Sequence, residues 1–170
     1  MLRRFLVLIL LCAPGGDALS QAGEKESDLK AAFIYNFTKY IDWGVSPSDP
    51  FIIGVVGPSP VYNSLQEIAA TKTVNEKKIV ILHFNNPDEI TSCNILFISA
   101  NSYFSLASVL ARIDKGTLTI SEQAGFAELG TAFNFVVDHD KLKFEANINS
   151  INGAGLKASS KLLKLAIIVN

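Results

Sequence analysis

The sequence predicts an α/β fold, a three-layer αβα sandwich on a mixed, mainly parallel sheet with a C-terminal β-hairpin. Three observations carry that expectation. Apolar runs of strand length recur at residues 51–56, 79–84 and 94–99, each bounded by turn residues, as expected of strands buried on both faces. Segments of helical period lie between strands, so crossovers join them and the strands run parallel. Late in the chain the apolar period becomes two, over 133–137 and 142–148, around the turn Asp138-His139-Asp140. That is the pattern of an antiparallel hairpin with one wet face.

Taken in order, the chain opens on an export leader. Arg3 and Arg4 precede an apolar run over 5–12, Ala13-Pro14-Gly15-Gly16 breaks it, and small residues follow at Ala18, Ser20 and Ala22, the pattern of a secretory signal. The run is well short of the roughly 20 residues needed to cross a membrane, so cleavage after Ser20 or Ala22 is expected. Leu11 stands before Cys12 where a lipoprotein signal has a small residue. Removing residues 1–22 takes out two arginines and one aspartate, which moves the net charge from −1 to −2. Residues 23–170 then read as one domain, long enough for a real core and without linker, repeat or low-complexity segment.

Residues 27–44 are expected to form an amphipathic helix. Leu29, Phe33, Phe37, Tyr40 and Ile41 fall in one arc of the wheel with Ile34 at its margin, and Tyr35, Thr38, Lys39 and Asp42 lie opposite; the aromatic side should pack. Ser27 is placed to cap the start, with Glu24, Glu26 and Asp28 near the positive end. Gly44 suits the left-handed residue that closes a helix.

After a polar turn over 45–50 comes the strand 51–56. Gly57-Pro58-Ser59-Pro60 follows, with Ser59 placed as a cap and Pro60 at the first helical position. The helix it opens carries Val61, Leu65, Ile68 and Ala69. Strand, glycine turn and helix also make a phosphate cradle. Neither Gly-x-Gly-x-x-Gly nor a Walker lysine is present, however, so a structural turn is the simpler reading. Strands follow at 79–84 and 94–99, then a helix over 102–113 and a fourth strand at 118–120. Residues 122–129 read as a loop or one helical turn between the breaks around Gly125 and Gly130. Beyond the hairpin lie a loop with Gly153 and Gly155 and a last helix capped by Ser159 or Ser160, containing Leu162, Leu163, Leu165, Ala166 and Ile167.

The residue types exclude several kinds of chemistry. No basic block follows the leader, so nucleic acid has no electrostatic footprint here. Cys93 is the sole cysteine left after cleavage, so no internal disulfide forms. At the edge of a buried strand it reads as a small apolar residue, with redox sensing as the sharper alternative. Asp138-His139-Asp140 offers donors for a weak metal site, but adjacent turn positions seldom converge on one ion and no further His or Cys completes it. No serine stands in a nucleophile motif. The sequence therefore predicts neither an enzyme nor a cofactor or metal, but an exported binding or interaction domain.

Several stretches in order carry a family resemblance. They are Ala31-Ala32-Phe33-Ile34-Tyr35-Asn36-Phe37-Thr38-Lys39-Tyr40-Ile41-Asp42-Trp43, the block 51–57 with Ser59-Pro60-Val61, the block 93–99, and the closing run from Phe133 to Glu145-Ala146-Asn147 and on through 154–166. Together they resemble the YfiR-like family of bacterial periplasmic proteins. That resemblance implies a periplasmic repressor that restrains an inner-membrane diguanylate cyclase through its periplasmic sensor region, and that an outer-membrane lipoprotein can sequester. Lower repressor activity would raise cyclic di-GMP and favour biofilm. Relatives with disulfides differ from this chain, so disulfide-based redox control is not expected of it.

Two candidate surfaces follow from the residues. Tyr35, Lys39 and Asp42 on the polar side of the first helix, with Trp43 at its end, form one partner-binding candidate, since amphipathic aromatics anchor interfaces. Lys143 and Glu145 on the wet face of the hairpin form another. The plainer reading makes Tyr35 and Lys39 an ordinary solvated face and packs Trp43 under the Pro50 turn. The alternative function is small-ligand binding, in a pocket at the carboxyl ends of the strands near Gly57, Ser59 and His83.

Overall fold

The computed structural model describes residues 17–44 and 49–169, so residues 1–16 of the expected leader, residues 45–48 of the turn and Asn170 lie outside the described residues. Helix α1 (Asp17–Phe37) is followed by β1 (Ile41–Asp42), β2 (Phe51–Val56), α2 (Val61–Thr71), β3 (Thr73–Val74) and β4 (Lys77–Phe84). A short 3-10 turn then leads to β5 (Ile95–Ile98), α3 (Leu106–Leu110), β6 (Leu118–Ser121), β7 (Phe133–Asp138) and β8 (Lys141–Asn147). The chain closes through α4 (Ile148–Gly153), β9 (Lys157–Ala158), α5 (Ser160–Leu163) and β10 (Ile167–Val169).

The main sheet runs β10-β8-β7-β6-β5-β2-β4-β3, and β1 pairs with β9 in a separate two-stranded ribbon. Strands β4, β2, β5, β6 and β7 are mutually parallel, β8 returns antiparallel to β7, and β10 lies parallel to β8. The expected α/β sandwich is therefore present. From β2 the chain steps to β4 on one side, then jumps back to β5 and continues to β6 on the other. Right-handed crossovers place helices joining strands in opposite directions on opposite faces. Accordingly α2 packs with α1 on one face, where Leu65, Ile34 and Phe37 share a core with Phe51, Phe97 and Phe133. Helix α3 lies on the other, where Leu106 and Val109 pack on Val56, Leu96 and Ile98.

Two details show how tightly β2 is held. A Cβ on Gly54 would lie 2.7 Å from Phe84 Cε2 and 3.0 Å from Leu96 Cδ1, so a side chain there would have to displace both. Gly57, at φ +85°, turns the chain directly out of β2, and a Cβ on it would lie 3.0 Å from Ser102 Cβ.

The first helix departs from its sequence reading. Its buried line is Ser27, Ala31, Ile34 and Phe37, with Thr38 just beyond, while Leu29 and Tyr40 are exposed. The packed arc is thus turned toward Ile34, because α1 lies between α2 and the aromatic residues of β7 and β8. Ser27 is not a cap: it sits inside a helix that begins at Asp17, and its hydroxyl donates to the Glu24 carbonyl at 2.8 Å. The helix ends at Phe37 rather than running to Gly44, because residues 41–42 leave it to pair with β9. Gly44 is left-handed, φ +67°, but closes that ribbon.

Later elements are shorter than their periodicity implied. The helix expected over 102–113 is helical at 106–110, with Ser105 Oγ accepting the Ser108 amide. Residues 148–153 are helical rather than loop, and Asn147 caps them. The last helix covers 160–163, with Ser159 as its cap, and Ile167 begins a strand. Tertiary pairing decided that: β8 offers a free edge, and Ile167 aligns beside Glu145. Strand β4 is buried at Ile79 and Ile81 on one face and at Phe84 on the other, where Val80 is 37% exposed.

Candidate functional site

The carboxyl ends of the parallel strands are where ligands bind in open α/β sheets, above all where strand order reverses. Here the reversal falls between β2 and β5, so the relevant loops are 57–60 and 99–105. That crevice is closed by the protein itself. Ser99 Oγ donates to the Pro58 carbonyl at 2.6 Å and accepts the Asn101 amide at 3.2 Å. Ser102 Oγ donates to the Ser99 carbonyl at 2.8 Å. Glu122 closes the neighbouring gap: its Oε1 accepts the Ala100 amide at 3.2 Å, and its Oε2 accepts from Lys30 Nζ at 2.7 Å. Lys30 also pairs with Glu26, one helical turn earlier, at 2.7 Å. Burial pulls the Lys30 ammonium down, but the hydrogen bonds to Glu122 and Glu26 outweigh it and hold the group above its ordinary value.

The three residues proposed for a pocket at this end lie close together. His83 is exposed, stands edge-on to the Tyr62 ring with centroids 5.4 Å apart, and places Nε2 3.1 Å from the Gly57 carbonyl. Ser59 Oγ accepts the Val61 amide at 3.2 Å, but the cap position of α2 is Pro60 rather than Ser59, and no side chain caps the helix. Gly57 is buried against Ser99 and Ser102.

The roomier space lies one strand further along. A cavity of about 760 Å³ opens beside α3, between the 102–107 segment that follows β5 and the 123–129 turn that follows β6. Phe104, Leu106, Leu110 and Phe126 line it, and Tyr103, 98% exposed, stands at its edge with Leu129. Sequence reasoning misses it by assigning Phe104 and Leu110 to the buried side of a full-length helix. The signal available is Gly125 and Gly130, which end the turn before it can cover those side chains.

The first-helix candidates divide. Lys39 and Asp42 are exposed and share a cleft of about 310 Å³ with Tyr40 and Lys157, along the β1–β9 ribbon. Lys39 Nζ lies 4.6 Å over the Tyr35 ring, and Tyr35 Oη donates to the Thr73 carbonyl at 3.2 Å. Asp42 Oδ1 accepts the Gly44 amide at 3.0 Å. Trp43 is not on this surface. It is 8% exposed and meets the Phe51 ring edge-on at 5.3 Å, in the core. Tyr40 and Lys157 take its place in the cleft. The helical wheel puts Tyr40 in the packed arc, and Lys157 reaches the site through a strand pairing that no local pattern announces.

Lys143 and Glu145 occupy a different side of the molecule. Phe144 packs on Phe33 and Phe37 of α1, and alternation along the strand puts its neighbours on the opposite sheet face. Lys143 pairs with Asp138, whose carboxyl it holds below its usual range, helped by His139. Glu145 Oε2 accepts from Asn134 Nδ2 at 2.9 Å, and Asn134 Oδ1 accepts from Ser121 Oγ at 2.7 Å. His139 and Asp140 are the left-handed pair of a two-residue turn, φ +49° and +58°. Among the described residues no group of three His, Cys, Asp or Glu side chains is placed to hold a metal ion. Burial pushes the Cys93 thiol up to about 12, far from the range of a reactive thiolate.

A family model described as YfiR/HmsC-like matches residues 27–167. The chain belongs to the YfiR/HmsC-like family. The match starts inside α1 and ends at the first residue of β10. It therefore takes in the whole of the main sheet but its last two residues, the ribbon cleft and the cavity beside α3. No helix among the described residues is long and apolar enough to cross a membrane.

Proposed function

We propose that this YfiR/HmsC-like protein is an exported regulator of cyclic di-GMP signalling that acts by protein–protein contact. In this reading it restrains a membrane-anchored diguanylate cyclase by binding the cyclase's periplasmic sensor region, and an outer-membrane lipoprotein can draw it away. The observation that carries the reading is the family match over nearly all of the described chain. The leader pattern over 1–22 supports export.

The ribbon cleft is the contact surface we favour. Lys39, Tyr40, Asp42 and Lys157 present an aromatic ring and charges of both signs within one small area. A solvated rim of this kind sets partner choice and encounter rate, and an exposed tyrosine supplies apolar contact. The test is recovery of partners by the tagged mature protein from detergent-solubilised envelope, read by mass spectrometry. A diguanylate cyclase with a periplasmic domain is the expected partner. The double substitution Tyr40→Ala, Lys157→Glu should cut its recovery by about fivefold or more, since a lost anchor is worth about 1 kcal/mol or above. Recovery of no cyclase by a folded, exported protein sinks the reading. Unchanged recovery by the double variant sinks the cleft.

A further inference from the structure

We propose that the cavity beside α3 is a binding site for an uncharged small molecule with a flat, ring-sized apolar body. It stands whether or not the protein contacts a cyclase. The cavity occupies about 760 Å³, within the range of roughly 300–1,000 Å³ typical of small-molecule sites. It lies at the carboxyl ends of β5 and β6, beside the point of strand-order reversal, where this class of sheet binds ligands. The reversal crevice itself is filled by the Ser99, Pro58 and Ser102 contacts, which leaves the space next to it as the accessible one.

The lining gives the ligand's chemistry. None of the ten lining residues is Asp, Glu, Lys, Arg or His, so a phosphate, carboxylate or ammonium would be desolvated without a counter-charge. Phe104, Phe126 and Tyr103 offer ring faces and edges to a flat apolar group. Two polar groups at the mouth, the Tyr103 hydroxyl and the Gln123 amide, have no side-chain hydrogen bond within the described protein. They can orient one or two polar atoms of the ligand. Helix α3, at five residues, is short enough to leave the mouth open.

The test uses two probes that share one skeleton, N-phenyl-1-naphthylamine and its sulfonated counterpart, 8-anilino-1-naphthalenesulfonate. The uncharged probe should show a saturable, one-site rise in fluorescence on the mature protein. It should bind about tenfold or more tighter than the sulfonate, whose charge finds no partner. Ala107→Trp fills the cavity from an exposed helix position and should weaken the uncharged probe by about tenfold or more. Tyr103→Ser, at a residue 98% exposed, should weaken it by about threefold. Both sites are exposed, so circular dichroism should report a native fold. Absence of saturable binding, equal affinity for the two probes, or unchanged binding by the folded Ala107→Trp variant overturns the proposal. So does a self-association that Ala107→Trp abolishes and the probe leaves undisturbed, since the cavity then belongs to a second copy of the chain.

Discussion

The two faces of the main sheet are built in opposite ways. On the α1 face, Phe37 lies within 4.7–6.2 Å, centroid to centroid, of Phe33, Phe133, Phe135 and Phe144. On the α3 face a five-residue helix and a turn segment pack on β2, β5 and the end of β4, and the part over β6 to β8 is polar. There Ser121 hydrogen-bonds Thr131 and Asn134, Thr119 accepts the Ala132 amide, and Asn147 donates to the Ala127 carbonyl. One face holds the fold by continuous apolar contact, and the other by a smaller apolar cluster under α3 with separate hydrogen bonds beyond it. The difference follows from handedness: α1 and α2 fall on one side of the sheet, and the crossover from β5 to β6 is left to cover the other.

The sharpest way to break that contrast is to remove its centre. Phe37→Ala should cost about 3–5 kcal/mol, by lost transfer free energy and the cavity left behind, measured by urea denaturation. Phe126→Ala on the other face removes a half-buried ring beside an existing cavity and should cost roughly half as much or less. Equal costs would mean that the α3 face carries as much of the fold as the α1 face.

A smaller effect tests whether the α3 face is loose throughout. Gly54→Ala should destabilise by about 2–3 kcal/mol, because its methyl group meets Phe84 and Leu96 and overpacking displaces them. The looseness would then be confined to the region beyond β5, where the cavity lies. A neutral Gly54→Ala variant would show that this face repacks freely everywhere.

The smallest expected effect concerns the link between the faces. Lys30 reaches from α1 to Glu122, which in turn holds the 99–101 loop. Its folded pKa is raised, so the stability it adds is full below the unfolded lysine value, near about 10.4. That stability drains as pH rises through the higher folded value. Lys30→Met should lower stability at neutral pH by about 1–2 kcal/mol, since Glu122 loses a charged partner. It should also flatten the alkaline limb of the stability curve. An alkaline limb of unchanged shape would detach the link from the titration of Lys30.

Much of this was legible in the residues. The parallel strands read directly, because runs such as Phe51-Ile52-Ile53 must be buried on both faces. The hairpin read directly too, from its change of period. What failed were amphipathic stretches whose ends were set by distant partners. Ser27 looks like a cap, yet the helix continues upstream of it; Ile167 continues a helical pattern, yet β8 captures it as a strand. The candidate surface was half legible. Lys39 and Asp42 stand where the helical wheel put solvent, but Trp43 is core and Lys157 comes from the far end of the chain.

By itself the sequence determined the fold class, the order of the parallel strands' elements, the hairpin turn and the family. These depend on local period, turn chemistry and a long ordered set of apolar blocks, all of which are properties of neighbouring residues. The tertiary structure alone decided which arc of α1 is buried, how short α3 is, that the C-terminus ends in a strand, and that a cavity opens beside α3. Each of those rests on which surfaces meet across the sheet, and a chain read one residue after another carries no record of that.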